Sequence, residues 1–203
     1  MLTLRQAAPT IADVSWTRSI APEEASGAVA EAYARIRART SRPHISRLWQ
    51  TLALDPGGLT GWSALRWELF DPPEPLTAAQ AEAVAVVVSA VNGCGYCVAH
   101  HGPRLARALG DEALARAVAR DYREADLPAR ERVLLDYAVA LTCEPAERKR
   151  EDVERVREYG FDDTSILKAT EIVAFYNAMN RVICGLGIPL EDGVAEWEFG
   201  SQR

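Results

Sequence analysis

Lysine is nearly absent from this chain of 203 residues: Lys149 and Lys168 are the only two, and arginine carries the remaining basic charge. Acids outnumber bases and leave a net charge of −6, which argues against nucleic acid or an anionic membrane surface as the main partner. The arginine bias reads as background composition rather than as a phosphate-binding surface. Long hydrophobic runs are missing too, none approaching the ~18 apolar residues of a membrane span. Met1 to Trp16 lacks an apolar block bounded by a basic start and a small-residue cleavage site, so no secretory signal is expected. Cysteine is sparse, with four residues in all. A secreted disulfide scaffold would be denser, and a cytoplasmic enzyme with one reactive pair fits better. No convincing strand alternation occurs, which leaves an all-α fold.

What is present is ordinary soluble-protein composition, 48% hydrophobic and 26% charged, with length enough to bury a sizeable core. Residues 1–20 read as an irregular arm, and residues 21–203 as a single all-α domain. Pro22-Glu23-Glu24 opens a helix running towards Arg39, with proline and acids at first-turn positions, and Ser41-Arg42-Pro43 breaks it. Short helices are expected around Ile45–Leu54 and Leu59–Phe70, separated by Asp55-Pro56-Gly57-Gly58. Asp71 to Pro75 forms a rigid connector. Thr77 and Gln80 make a capping box for a helix reaching Val91, which Asn92-Gly93 ends. The next helix starts at the cysteines and stops at Gly110, and Asp111 caps another. Leu127 to Arg132 opens a helix ending near Cys143 and resembles the earlier segment Leu76 to Ala81, a weak internal repeat of a helical unit. Helices at about Glu151–Tyr159 and Asp163–Ile183 complete the chain, with Asp162 or Thr164 as cap and Gly185 as stop.

The chemistry concentrates at Cys94-Gly95-Tyr96-Cys97, followed by Val98-Ala99-His100-His101. Two thiols one turn apart can close a small disulfide ring. Cys94 after Gly93 sits in the first turn, where unpaired backbone N–H groups favour a thiolate. His101 is one turn beyond Cys97 on the same side. Folding the preceding helix back through Asn92-Gly93 puts Glu82 about 15 Å down one helix and His101 about 12 Å down the other, at ~1.5 Å per residue. Their similar depth suggests a proton path from Cys97 through His101 to Glu82. Taken singly, Glu82 reads equally well as a solvated helix residue and His101 as a satisfied structural histidine. The matched depth of Glu82, Cys97 and His101 favours chemistry. A zinc site from Cys94, Cys97, His100 and His101 is disfavoured, because four ligands on one helix cannot wrap a tetrahedral ion. His100 is expected to face away, His44 to lie in a loop or at the surface, and Cys143 and Cys184 to stand alone.

Glu82, Cys94-Gly95-Tyr96-Cys97 and His101 resemble the signature of the AhpD-like alkylhydroperoxidases of the carboxymuconolactone decarboxylase superfamily. The likeness extends weakly to the Gly27-to-Tyr33 helix, the Leu76–Gly110 core and the Phe175–Arg181 segment with Asn177, Asn180 and Arg181, a pattern similar to the peroxidase-related branch. The resemblance implies an all-α bundle of repeated helical units, assembled as trimers or hexamers. It makes Cys97 the peroxidatic thiol, Cys94 the resolving thiol, and Glu82 with His101 the proton relay. The family's peroxidases carry a histidine between the cysteines where this chain has Tyr96, which implies a shorter relay and lower activity. Decarboxylase members lack the paired cysteines, so the pair argues against lactone decarboxylation.

The expected function is therefore a thiol peroxidase that reduces hydrogen peroxide or an organic hydroperoxide and is restored by an external dithiol, possibly a protein. No cofactor and no metal is called for. Two other readings stand beside it: a dithiol reductant or redox sensor exchanging disulfides with a partner, and a non-enzymatic helical oligomerisation module. A homo-oligomer is expected in any case, with Trp62 and Trp67 among the surplus hydrophobic surface.

Overall fold

The computed structural model describes residues 15–40 and 44–202. Nine α-helices and no strand occur among the described residues: α1 (Gly27–Arg39), α2 (Arg47–Leu52), α3 (Pro56–Phe70), α4 (Ala78–Val91), α5 (Gly95–Leu109), α6 (Glu112–Asp121), α7 (Ala129–Cys143), α8 (Arg150–Glu158) and α9 (Asp163–Gly185). Helix α4 is the axis of the bundle. Its Ala/Val-rich sequence is apolar on every side, and every residue from Val84 to Val91 is buried. A helix hydrophobic all round has to be surrounded, and α5, α6, α7 and α9 all pack on it. A second, smaller cluster lies under α1, α2 and α3, built on Tyr33, Ile36, Ile45 and Leu59, with Trp49 and Leu52 packed against both clusters.

Local signals set most of the boundaries. Thr77 accepts from the Gln80 backbone at 3.1 Å and Gln80 returns the bond to Thr77 N–H at 2.9 Å, a complete capping box. Gly93 adopts a left-handed φ of +70°, which a side chain would resist, and so lets α4 turn directly into α5. Asp111 and Asp162 cap α6 and α9 through their side chains. The two related helix starts meet: Gln80 Nε2 lies 3.1 and 3.2 Å from the Glu131 carboxylate, joining equivalent positions of α4 and α7.

Several boundaries differ from the sequence reading. Helix α1 begins at Gly27 rather than at Pro22, because residues 22–24 form a turn and Ser26 is the N-cap. Asp55-Pro56-Gly57-Gly58 starts α3 instead of separating two helices: proline is tolerated at the first helical position, and the two glycines follow it inside the helix. Helix α9 continues through Gly185, and the left-handed residue beyond it is Gly187, φ +58°. Ser41-Arg42-Pro43 and most of the expected arm lie outside the described residues. Ser15 to Ile20 is held by Trp16 N–H to Leu186 C=O at 2.8 Å and Ile20 N–H to Gln50 C=O at 3.0 Å.

The C-terminal tail runs back across α5 and α6. Gly200 N–H donates to Ala119 C=O at 3.2 Å, and Gln202 donates to Val118 and Ala119. Gly102 is required beneath it, since a Cβ there would stand 2.3 Å from the Trp197 ring.

Candidate functional site

The Gly93 turn puts Cys94 at the N-cap of α5 rather than in its first turn, with its N–H bonded to Ser89 C=O at 2.8 Å. Cys97 follows one turn on. Both are free thiols and both are buried. The two thiols hydrogen-bond each other, and the Asn180 side chain bonds to both. Asn180 is itself fixed, donating to Ser89 Oγ at 3.1 Å and accepting from Asn92 Nδ2 at 3.0 Å. The bond from Cys97 is the largest influence on the Cys94 thiol and outweighs burial, bringing it down to about 7. Burial, with the neighbouring Cys94, pushes the Cys97 thiol up. Neighbouring donors thus lower Cys94, while Cys97 holds its proton more tightly. Deprotonation of the pair leaves one shared proton between two sulfurs.

Glu82 on α4 meets His101 on α5 as antiparallel neighbours. Its Oε2 lies 2.5 Å from His101 Nδ1. Burial is the largest influence on each. It lowers the imidazole to about 4, so His101 is neutral at neutral pH. It opposes ionisation of Glu82 as well, but His101, Arg104 and Arg66 together outweigh it and hold the carboxyl below its ordinary value. An ionised Glu82 fixes the tautomer: Nδ1–H donates to the carboxylate, and Nε2 is the acceptor. That acceptor is filled by Tyr176 on α9, whose hydroxyl lies 2.7 Å away.

Tyr176 was not singled out from the sequence. It is buried, its phenol is pushed well up by burial, and it interacts electrostatically with both Glu82 and Cys97. It thus fills the ring nitrogen that a direct path from Cys97 to His101 would use. The available signal was the stripe Tyr176, Asn180, Cys184 at four-residue spacing along one face of α9. Cys184 does not stand alone: exposed in the last turn of α9, its thiol is influenced by that of Cys94. Cys143 is exposed at the end of α7.

Tyr96 and His100 belong to a separate network. Tyr96 donates to Glu191 Oε1 at 2.7 Å, and His100 Nε2 lies 2.8 Å from Glu191 Oε2. His100 turns away from Glu82, as expected, but into this buried contact with the tail rather than into water. Trp67, counted from sequence as surplus surface, is buried against α1 and α2 residues, and Trp62 packs edge-on to Phe175 with ring centres 5.8 Å apart.

Cys97, His101 and Tyr176 open on a cavity of about 300 Å³, walled by Trp49, Phe175, Met179 and Ile183 among others. Neither Cys94 nor Cys184 lines it. Among the described residues, no group of three or more histidine, cysteine or acidic side chains is arranged to hold a metal ion. No helix among them is long and apolar enough to cross a membrane.

Comparison with known proteins fits this geometry. Residues 56–121, which include Glu82, both cysteines and His101, match the model of the carboxymuconolactone decarboxylase family. No curated protein matches the chain. Among solved structures, an uncharacterised peroxidase-related protein with an alkylhydroperoxidase AhpD core from Ralstonia eutropha is 27% identical, at a TM-score of 0.80 over 88% of this chain and 93% of that one. A peroxidase-related protein from Silicibacter sp. TM1040 is also 27% identical, at 0.76 over 96% of this chain and 97% of that one. The debrominase Bmp8 shares the fold at 17% identity, with a TM-score of 0.72 over 90% of this chain and 94% of that one. One fold thus carries more than one activity, and function has to be argued from the site. With the family model matched across its thiol helices and AhpD-like proteins superposing on nearly its whole length, the chain is AhpD-like in fold and carries a segment similar to the carboxymuconolactone decarboxylase family.

Proposed function

We propose that the protein is a thiol peroxidase that reduces hydrogen peroxide or an organic hydroperoxide through Cys97 and Cys94. The observation that carries this reading is the placement of Cys97: it lines the cavity, lies against Cys94, and is coupled through Tyr176 to a neutral His101 held by an ionised Glu82. The Cys97 proton passes to the Tyr176 oxygen as the Tyr176 proton passes to His101 Nε2, and Glu82 balances the imidazolium. The thiolate attacks the distal peroxide oxygen, the O–O bond breaks, and the leaving alkoxide or hydroxide takes the proton back. Cys97 is then a sulfenic acid. The Cys94 sulfur displaces its hydroxyl as water and closes the disulfide. An external dithiol, a small molecule or a protein, restores both thiols by exchange and is itself oxidised.

The same reading places the protein in a reducing compartment, the cytoplasm, where such a dithiol pool is maintained. It also makes a homo-oligomer, trimer or hexamer, the working unit. Exposed Trp16, Leu54, Leu65 and Leu167 are apolar surface that an assembly would cover. A mass measurement in micromolar solution that returned the monomer would remove that part of the proposal.

The test is consumption of hydrogen peroxide and cumene hydroperoxide in the presence of dithiothreitol, with mass spectrometry of the thiols after one equivalent of oxidant. Peroxide loss together with a Cys94–Cys97 disulfide is the expected result. Disulfide cycling without peroxide consumption would replace this function with dithiol exchange.

A further inference from the structure

Four arginines, Arg39, Arg66, Arg104 and Arg107, line the cavity, and no aspartate or glutamate does. In a chain of net charge −6, this is a local excess of the minority sign. Arg39 is answered by Asp71 at 3.8 Å. Arg66 lies over the Phe70 ring at 5.2 Å. Among the described residues, no ion pair or hydrogen bond occupies Arg66, Arg104 or Arg107. Arg66 and Arg104 are half-buried. The carboxylates that act on them are both engaged: Glu82 is bonded to His101, and Asp71, which acts on Arg66, is paired with Arg39. Four lining guanidiniums against these two engaged carboxylates leave positive charge unanswered beside the reacting thiol. Half-buried guanidiniums are the groups best shaped to take an anionic oxygen pair from a ligand. Trp49, Phe175, Met179 and Ile183 supply an apolar part of the remaining wall.

We infer that the cavity binds a small amphipathic monoanion, its carboxylate seated on Arg66 and Arg104 and its apolar body against Trp49, Phe175, Met179 and Ile183. Under the proposed function, the substrate is then the hydroperoxide of a medium-chain carboxylic acid. Only that last step depends on the peroxidase reading. At about 300 Å³ the cavity is at the small end of ligand sites, which favours a short chain over a long-chain lipid.

Binding is measured on the reduced wild-type protein by tryptophan fluorescence and calorimetry, with decanoate, decan-1-ol and decylammonium as probes. Decanoate is expected to bind at least about tenfold more tightly than the alcohol, with decylammonium weakest, and added salt should narrow the gap. In the double variant Arg66→Gln/Arg104→Gln the advantage of decanoate over decanol should fall to about twofold or less. Equal binding of decanoate and decanol to the wild-type protein would overturn the inference without recourse to any variant. Selective decanoate binding by a protein that consumes no peroxide would retain this inference and remove the peroxidase function.

A separate observation carries a second inference. Cys97 lines the cavity and Cys94 does not, while exposed Cys184 is near enough to Cys94 for the two thiols to influence each other. Asn180, one turn before Cys184 on α9, already fixes α9 against the Ser89–Cys94 segment. We propose that Cys184 carries the disulfide from the buried pair to the surface. The Cys184 thiolate attacks Cys94 in the Cys94–Cys97 bond, and a Cys94–Cys184 bond forms as the first breaks. The electron pair leaves on Cys97, which is reprotonated. No net oxidation occurs, and the external dithiol then reduces an exposed bond instead of a buried one.

In the Cys97→Ser variant, treatment with diamide in place of peroxide should give a Cys94–Cys184 disulfide on peptide mapping. In Cys184→Ser, reduction of the preformed Cys94–Cys97 disulfide by dithiothreitol should slow by about tenfold or more. Failure of diamide to bridge Cys94 and Cys184, or unchanged reduction in Cys184→Ser, would overturn the relay whatever the peroxide assay gives.

Discussion

The Tyr176 hydroxyl donates to His101 Nε2 at 2.7 Å while the opposite ring nitrogen of His101 is held by Glu82 at 2.5 Å, so a tyrosine from α9 occupies the place where a direct histidine–thiol contact was expected. The arrangement has a direction. Glu82 is ionised and His101 neutral, so the ring offers a basic nitrogen to the tyrosine.

Tyr176→Phe is therefore expected to lower peroxide turnover by about 10²–10⁴-fold, the usual weight of a true proton-transfer group. The ring stays, so packing against Phe70 and Phe175 is retained. The alkylation rate of Cys97 should also shift to higher pH. Turnover and alkylation both unchanged would mean that Cys97 loses its proton by another route.

Cys97 and Cys94 should respond asymmetrically. Cys97→Ser is expected to abolish turnover, because the only cysteine lining the cavity is lost. Cys94→Ser should leave one round of oxidation and then a sulfenic acid on Cys97, detectable as a dimedone adduct by mass spectrometry. Loss of that single round in Cys94→Ser would exchange the two roles. Thiol titration gives an independent check: without a donor at position 97, Cys94 in Cys97→Ala should titrate above about 7.

Much of this site was legible because its signals are local. The Thr77/Gln80 capping box, the Asn92-Gly93 turn and the one-turn spacing of Cys94, Cys97 and His101 fix α4 and α5 in antiparallel contact. Equal depth along two joined helices is enough to bring Glu82 to His101. Tyr176, Asn180 and Cys184 were not legible in the same way. Each reaches the thiols from α9 across the bundle, and helical periodicity gives the face of a helix without saying which neighbour it meets. The error at Asp55 to Gly58 has a different origin. Proline and two glycines read as a break, but proline fits the first turn of a helix, and the long apolar remainder of α3 carries the glycines. Glu191 lies in a tail with no periodic pattern at all.

That tail decides what Tyr96 does. Its hydroxyl is bonded to Glu191 rather than directed at His101, so the residue standing in for the family's histidine anchors the chain end to α5. Glu191 also meets His100 and the Arg47 backbone N–H, and these partners outweigh burial and hold its carboxyl down to about 2. Tyr96→Phe should lower stability by about 1–3 kcal/mol, as for a lost hydrogen bond to a charged group. Turnover should stay within about threefold of wild type. A drop of a hundredfold or more, with the fold intact by circular dichroism, would place Tyr96 in the proton path.

The buried His101 makes stability depend on pH in a defined window. Its ordinary value is 6.5 and burial lowers it to about 4 in the folded protein. Between those values the unfolded chain binds a proton that the folded chain refuses, so stability rises with pH across the window. The contribution is complete above about 6.5 and is lost progressively as pH falls towards 4. A shift of this size corresponds to a loss on the order of 3 kcal/mol. Glu82 and Glu191, both held below their ordinary value, act with the same sign at lower pH: their contributions are present above about 4.5 and fade as the carboxylates protonate. Urea midpoints measured from pH 4 to pH 8 should therefore climb most steeply below pH 6.5 and then level off. His101→Gln removes the titrating ring while keeping a donor for Glu82, and in that variant the rise between pH 4.5 and 6.5 should largely disappear. A wild-type profile flat across that interval, or one equally steep in His101→Gln, would mean that His101 is charged in the folded protein and that Nε2 cannot accept the Tyr176 proton.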